Sequence, residues 1–305
     1  MMYPAAKVYH DGSHYVAIPY HPAKPRKPKK MADNLLDIIG EKEKEEFEDK
    51  EKEVAKEAYE DSSELKGEKR KEKAVEKLME QCMSEQRARE LVEKEVEHRK
   101  RQISDKKRKF MRKAFMNEFN YFVTFTYDDE KHTEASFKRG LINKLCKYKK
   151  KYGWKYMGVW EISPNERLHF HGMLYIPEGK MVGELKTRRD YSTKQHKMQE
   201  TTYNTFFEDH FGRNDFREII QHKQAYEMAI SYIMKYISKT NEKVIHSKGL
   251  PMFLISDINS DDELGRIGKY ERSVVLPDDF ECWDEGEFLG NMSKEVKPLL
   301  KTKGS

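Results

Sequence analysis

Cysteine is scarce: Cys82, Cys146 and Cys282 lie far apart in 305 residues and form neither a Cys-x-x-Cys zinc pair nor a disulfide framework. That scarcity points to a reducing setting, and a cytoplasmic location is expected. Long apolar runs are missing too. No stretch approaches the roughly 18 apolar residues of a membrane-spanning helix, so no membrane partner is expected. The first twenty residues, MMYPAAKVYHDGSHYVAIPY, lack a basic segment followed by an apolar one, and no secretory signal is expected. No G-x-x-x-x-G-K-[ST] phosphate loop follows any strand-like run, so an appended helicase domain is not expected either. Apolar residues are few overall: 37% of the chain is hydrophobic and another 37% charged, too polar for a single compact globule of this length. The net charge of +5 fits an anionic partner without demanding one.

What is present changes character along the chain. Residues 7–18, KVYHDGSHYVAI, alternate like two short strands around the turn dipeptide Asp11-Gly12. HPAKPRKPKKM follows as an extended basic linker, and the two together form a first segment, 1–40. From 41 to 109 the chain is mostly charge: EKEKEEFEDKEKEVAKEAYE carries fifteen charged residues in twenty. Residues 70–100 add an apolar stripe, Val75, Leu78, Met79, Cys82, Met83, Leu91, Val92 and Val96, near helical spacing. Long helices broken near DSSELKG (61–67) are expected, either as a partner-binding or self-associating coil or as a solvated helix beside the core. The basic run at 98–113 has the charge to touch phosphates.

From 119 the texture is that of a folded domain. FNYFVTFTYDD (119–129) reads as a buried strand and residues 133–152 as a basic amphipathic helix with Phe137, Leu141, Leu145 and Tyr148 inward. WKYMGVWEI (154–162) and LHFHGMLYI (168–176) read as a hairpin around SPNER. Residues 178–224 read as a polar, irregular insertion and 224–240 as a helix. KGLPMFLISDI (248–258) and RSVVLP (272–277) read as further strands. The expected architecture is α+β, a central antiparallel sheet flanked by helices, over about 110–258, with 259–305 a C-terminal extension.

Within that domain, strand alternation puts His169 and His171 on one face and Leu168, Phe170, Gly172 and Leu174 on the other. Taken alone, the two histidines fit a wet face as well as a metal. A hairpin loop centred on Asn165 pairs residues whose numbers sum to about 330, which sets Glu161 opposite His169 with Cβ atoms about 5 Å apart. Two imidazoles and a carboxylate then form a three-ligand site with open positions for a divalent cation. On the 224–240 helix, the order around the axis is Lys235, Lys239, Tyr232 and Tyr236, all within an arc of about 100°. Ile230, Ile233 and Ile237 form a separate stripe that begins about 60° beyond Tyr236. This apolar stripe docks the helix, and the tyrosines stay out of the packing. Phenols flanked by ammonium groups beside a Lewis acid suit phosphoryl transfer with a covalent phosphotyrosine.

HFHGML resembles the His-hydrophobic-His motif of HUH endonucleases, FVTFTY their first-strand motif, and YIMKYISK the paired-tyrosine motif of rolling-circle replication initiators of single-stranded DNA phages. The resemblance covers about 110–258. It implies a ferredoxin-like or RNA-recognition-motif-like sheet, with Mg²⁺ or Mn²⁺ held by His169, His171 and Glu161. Tyr232 and Tyr236 become the nucleophiles, assisted by Lys235 and Lys239. It further implies single-stranded origin DNA as substrate, a host helicase and polymerase as partners, and a bacterial host cytoplasm as location. Relaxases place the tyrosine before the histidine motif, and single-tyrosine transposases usually lack a doubled Tyr-x-x-Lys. A transposase or relaxase, or a non-catalytic nucleic-acid-binding protein, is the alternative. Origin binding is expected from the basic insertion: Lys186, Arg188, Arg189, Lys194 and Lys197.

Overall fold

The computed structural model of the chain describes residues 5–19, 35–81, 83–163, 167–192, 196–219, 223–239, 243–257 and 273–303. In chain order the elements are β1 (Ala5–His10), β2 (Tyr15–Pro19), α1 (Leu35–Asp61), α2 (Glu68–Glu80), α3 (Glu85–Met116), β3 (Tyr121–Thr126) and α4 (Glu134–Tyr152). There follow β4 (Lys155–Ile162), β5 (Leu168–Tyr175), β6 (Leu185–Ser192), β7 (Lys197–Asn204), α5 (Thr205–Phe211), β8 (Asn214–Glu218) and α6 (Lys223–Lys239). The last are β9 (Ile245–His246), β10 (Phe253–Asp257), β11 (Val274–Leu276), β12 (Glu281–Asp284), β13 (Glu287–Asn291) and β14 (Lys301–Lys303). The basic linker HPAKPRKPKKM, the hairpin loop around Asn165, Lys194 and residues 259–272 lie outside the described residues. Two compact units result, one of residues 22–105 and one of 1–21 with 106–305, so the division falls inside α3.

The smaller unit is helical. Val75, Leu78, Leu91, Val92 and Val96 of the expected stripe are buried together with Ala55, Ala58, Ala74 and Ala88. The alanines let the helices approach closely, which is why so charged a segment still has a core of its own. Salt bridges join the helices at Arg87–Glu51, Arg99–Glu60 and Lys77–Asp61. Exposed pairs of this kind contribute only about 0–1 kcal/mol each, so the small apolar seam decides the fold. Met79, counted in the stripe from its spacing, is largely exposed.

The larger unit is α+β and carries a five-stranded antiparallel sheet in the order β8-β3-β5-β4-β9. Strand alternation splits its side chains cleanly. Val123, Phe125, Tyr156, Trp160, Leu168, Phe170 and Leu174 face α4 and α5, whose Phe137, Leu141, Leu145, Tyr148, Phe207 and Phe211 complete that layer. Met157, Val159 and Met173 face the other way, against Phe110 and Ala114 of α3 and Ile230, Ile233 and Ile237 of α6. Thr133 caps α4 in a reciprocal pairing with Ser136, and Gly153 in the left-handed region ends it. Gly158 and Gly172 lie directly opposite each other in the hairpin. The Phe170 ring fills the place their side chains would take; a Cβ on Gly158 would come within 2.5 Å of its Cζ.

Two expectations need correction. The stretch 178–224 is not irregular: β6 and β7 form a two-stranded ribbon, and β8 is an edge strand of the main sheet, paired with β3. The ribbon strands carry charged residues on both faces, which hides the period-two signal that marks a half-buried strand. Nor are the two ends of the chain separate extensions. β1 pairs with β2 and β10, β2 with β11, and β10 with β14, giving one five-stranded sheet, β11-β2-β1-β10-β14. Pairing across most of the length of the chain leaves no local signature. At the expected Asp11-Gly12 turn, the Asp11 carboxylate accepts from the backbone of Ser13 and His14. Gly12 adopts φ 112°, where a Cβ would meet the Phe115 ring at 2.7 Å.

Candidate active site

The hairpin register is the expected one: Glu161 lies opposite His169, and Val159 opposite His171. β3 lies on the other side of β5, with Thr124 opposite His171 and Thr126 opposite His169. Each threonine therefore meets one imidazole. The Thr126 hydroxyl is 2.8 Å from His169 Nδ1, and the Thr124 hydroxyl is 3.1 Å from His171 Nδ1. Fixing Nδ1 this way sets the orientation of each ring and leaves Nε2 for chemistry. On His171, Nε2 contacts Glu161 Oε2 at 2.8 Å. The two rings lie 6.1 Å apart and 27° from parallel.

Burial sets the protonation states. His171 is almost fully enclosed, which pushes its pKa down to about 4, so at neutral pH the ring is neutral. His169 is also lowered, chiefly by desolvation and next by His171, against a raising influence from Glu161. Neutral imidazoles and an ionised carboxylate are the forms that bind divalent cations. Among the described residues, no group of three or more His, Cys, Asp or Glu is gathered around one point as the side chains stand. The hydrogen bond between His171 Nε2 and Glu161 takes the place a cation would have. The donor set nevertheless fits one: exchanging that proton for a cation requires His171 Nδ1 to carry its proton and donate it to Thr124.

α6 brings the tyrosines onto this patch. Its N-terminal part is pinned by Tyr226, whose buried hydroxyl sits between the carbonyls of Ala114 and Asn117, 2.5 and 2.7 Å away. Ile230, Ile233 and Ile237 dock as expected. The Tyr236 ring then stacks on His171, 4.8 Å between centroids and 8° from parallel, and Tyr232 meets the same ring edge-on at 5.4 Å. The Tyr236 hydroxyl donates to that of Tyr232 at 2.8 Å. Phe122 supports Tyr232 edge-on from β3 at 5.6 Å.

The two phenols are not equivalent. Tyr232 is 41% exposed and Tyr236 only 8%. Burial pushes the Tyr236 pKa up, with further raising influences from Tyr232 and Glu161. The expectation that both tyrosines stay out of the packing therefore holds for Tyr232 and fails for Tyr236. The reason is angular: Tyr236 is rotated about 40° from Tyr232 in the direction of the isoleucine stripe. Lys235 lies on the same helix, partly exposed; Lys239 ends it.

Beside Thr126 a cavity of about 300 Å³ opens, lined among others by Asp128, Lys131, Arg167 and Arg213. The cations of the β6–β7 ribbon are engaged elsewhere. Lys186 lies 3.4 Å from Glu184, Arg188 binds Glu208 at 2.8 Å and the Asn214 carbonyl, and Arg189 lies 3.4 Å from Glu200. Lys197 is exposed. Thr124, Thr126 and Phe122 are site residues that sequence reasoning misses. Alternation within FVTFTY puts all three on one face, but which strand they adjoin depends on a non-local pairing.

Residues 120–241 match a family model of replication-associated proteins of the ORF2 type, a span that contains all the residues of the tyrosine–histidine patch. Over that span the chain is similar to replication-associated proteins. No curated protein and no solved structure matches it.

Proposed function

We propose that this protein initiates rolling-circle replication by nicking single-stranded origin DNA and holding the 5′ phosphate on tyrosine. The observation that carries this reading is the seating of two hydrogen-bonded tyrosine hydroxyls on an imidazole that itself contacts a carboxylate. The similarity to replication-associated proteins over 120–241 supports it.

Tyr232 attacks first. It is the exposed phenol, and it accepts a hydrogen bond from Tyr236 that stabilises negative charge on its oxygen as its proton leaves. The Tyr232 oxygen forms a bond to phosphorus while the bond from phosphorus to the 3′ oxygen breaks. The proton lost by the phenol is balanced by the one the departing 3′ hydroxyl gains, so the step is proton-neutral overall. Splitting hydrolysis into two transesterifications keeps the bond energy in the phosphotyrosine for religation. His169, His171 and Glu161 are the residues that would hold Mg²⁺ or Mn²⁺, which when bound supplies charge to a non-bridging phosphate oxygen. Thr124 and Thr126 orient the imidazoles, and Lys235, one helical turn from Tyr232, is placed for the phosphate backbone. The cavity beside Thr126 has room for a nucleotide adjoining the cut. Tyr236 serves the second transfer, once a new 3′ end occupies the site.

The test is an SDS-stable adduct between the full chain and labelled single-stranded origin DNA in the presence of Mg²⁺ or Mn²⁺. Wild type forms it, EDTA abolishes it, and the double variant Tyr232→Phe/Tyr236→Phe does not form it. Failure of wild type on every cognate strand overturns the reading.

A further inference from the structure

α4 covers the face of the main sheet opposite the histidines, since its Phe137, Leu141, Leu145 and Tyr148 pack on the Val123–Phe125–Phe170 layer. Its sequence, EASFKRGLINKLCKYKKKY, holds seven basic residues and one acidic one. On the helical wheel those four apolar residues fill an arc of about 80° centred opposite Arg139. Lys150 falls about 20° and Lys147 about 80° from Arg139, away from that arc. All three cations are exposed. From Arg139 to Lys150 they run along about 17 Å of helix.

These cations differ from the others in the chain. Those of the helical unit and of the β6–β7 ribbon are largely matched with carboxylates. Among the described residues, none of Arg139, Lys144, Lys147, Lys149, Lys150 and Lys151 makes an ion pair with a carboxylate. Like charges three and four positions apart, as at Lys144, Lys147, Lys150 and Lys151, disfavour a helix. A row of anions relieves that repulsion.

We infer that the outer face of α4 is a second nucleic-acid surface, which grips the phosphate backbone of double-stranded DNA on the side of the main sheet opposite the nicking site. A straight row of cations suits duplex DNA, which carries one charge per about 1.7 Å of axis. Single strands are gripped by stacking on exposed rings as well as by charge. None of the exposed large hydrophobic side chains among the described residues belongs to α4, which argues against both base stacking and membrane insertion. Contacts of this kind position the duplex without reading its sequence. The inference rests on the proposed function only in taking DNA as the substrate: the duplex flank of the origin lies on α4 while its single-stranded part reaches the tyrosines.

The test compares the full chain with the variant Arg139→Gln/Lys147→Gln/Lys150→Gln, all exposed positions, by fluorescence anisotropy on a blunt duplex of about 30 base pairs over a salt series. The variant should bind at least tenfold more weakly at about 0.1 M salt. Its log–log salt slope should flatten by about 2.7, at roughly 0.9 per lost phosphate contact. Adduct yield on a short single strand should be unchanged. An unaltered duplex affinity and slope overturns the inference. So does tighter binding to phosphatidylserine vesicles than to duplex with the same dependence on the three residues, which would make the face a membrane surface. If wild type forms no adduct but the duplex results hold, nicking fails and the duplex surface stands.

Discussion

At the scale of single residues, the site depends on hydroxyls that do no chemistry themselves. Thr124 and Thr126 hold the Nδ1 atoms of His171 and His169, and outer partners of this kind typically change metal affinity about 10–100-fold when removed. Thr124→Val should weaken Mn²⁺ binding to that extent while circular dichroism stays native; titration calorimetry measures it, and unchanged affinity would show that His171 is not a ligand. Gly172 has a different duty. A methyl group there would displace the Phe170 ring between β4 and β5, so Gly172→Ala should cost about 1–3 kcal/mol in denaturant unfolding. A neutral result would mean the ring has somewhere else to go.

Among the elements, α6 matters most, because its placement turns two phenols into a reactive pair. Tyr226 locks it to the end of α3 through buried carbonyls. Tyr226→Phe leaves those acceptors unmet and should cost about 1–3 kcal/mol, read as a lower unfolding midpoint. How much of this is legible in the sequence follows from how local each signal is. The β4–β5 hairpin is closed by a short loop, so the Glu161–His169 pairing follows from counting. The helix stripe likewise follows from helical periodicity, and α4 from its apolar spacing. Tyr236 escapes such reasoning because a helical wheel gives angles but not the width of the surface on which the helix docks. β8, the threonines beside the histidines and the sheet joining both chain ends escape it for a single reason. Each rests on strands paired across long separations, which no window of residues reveals.

For the whole molecule, burial of imidazoles couples stability to acidity. His10, His169, His171 and His246 are all held below their ordinary value, chiefly by desolvation. The unfolded chain therefore takes up protons near the ordinary imidazole pKa of about 6.5 that the folded chain refuses. Stability is fully present above that range and falls as pH drops toward 4, where His171 finally titrates. Melting temperature should decline steadily between pH 7 and pH 4.5; a flat profile would contradict the buried, neutral imidazoles. The same architecture separates duties: one face of the main sheet carries the tyrosines and histidines, the other carries α4 and its cations.

The central claim, that Tyr232 is the first nucleophile on a His–Glu patch, can be read from one peptide map. Trypsin cleaves after Lys223, Lys235 and Lys239, so Tyr232 falls in the peptide 224–235 and Tyr236 in YISK, 236–239. After a single round with labelled single-stranded DNA and Mn²⁺, followed by nuclease and trypsin, mass spectrometry should find the nucleotide on the 224–235 peptide at Tyr232. A label on YISK would reverse the order of the tyrosines, and a label on neither would remove the covalent mechanism altogether.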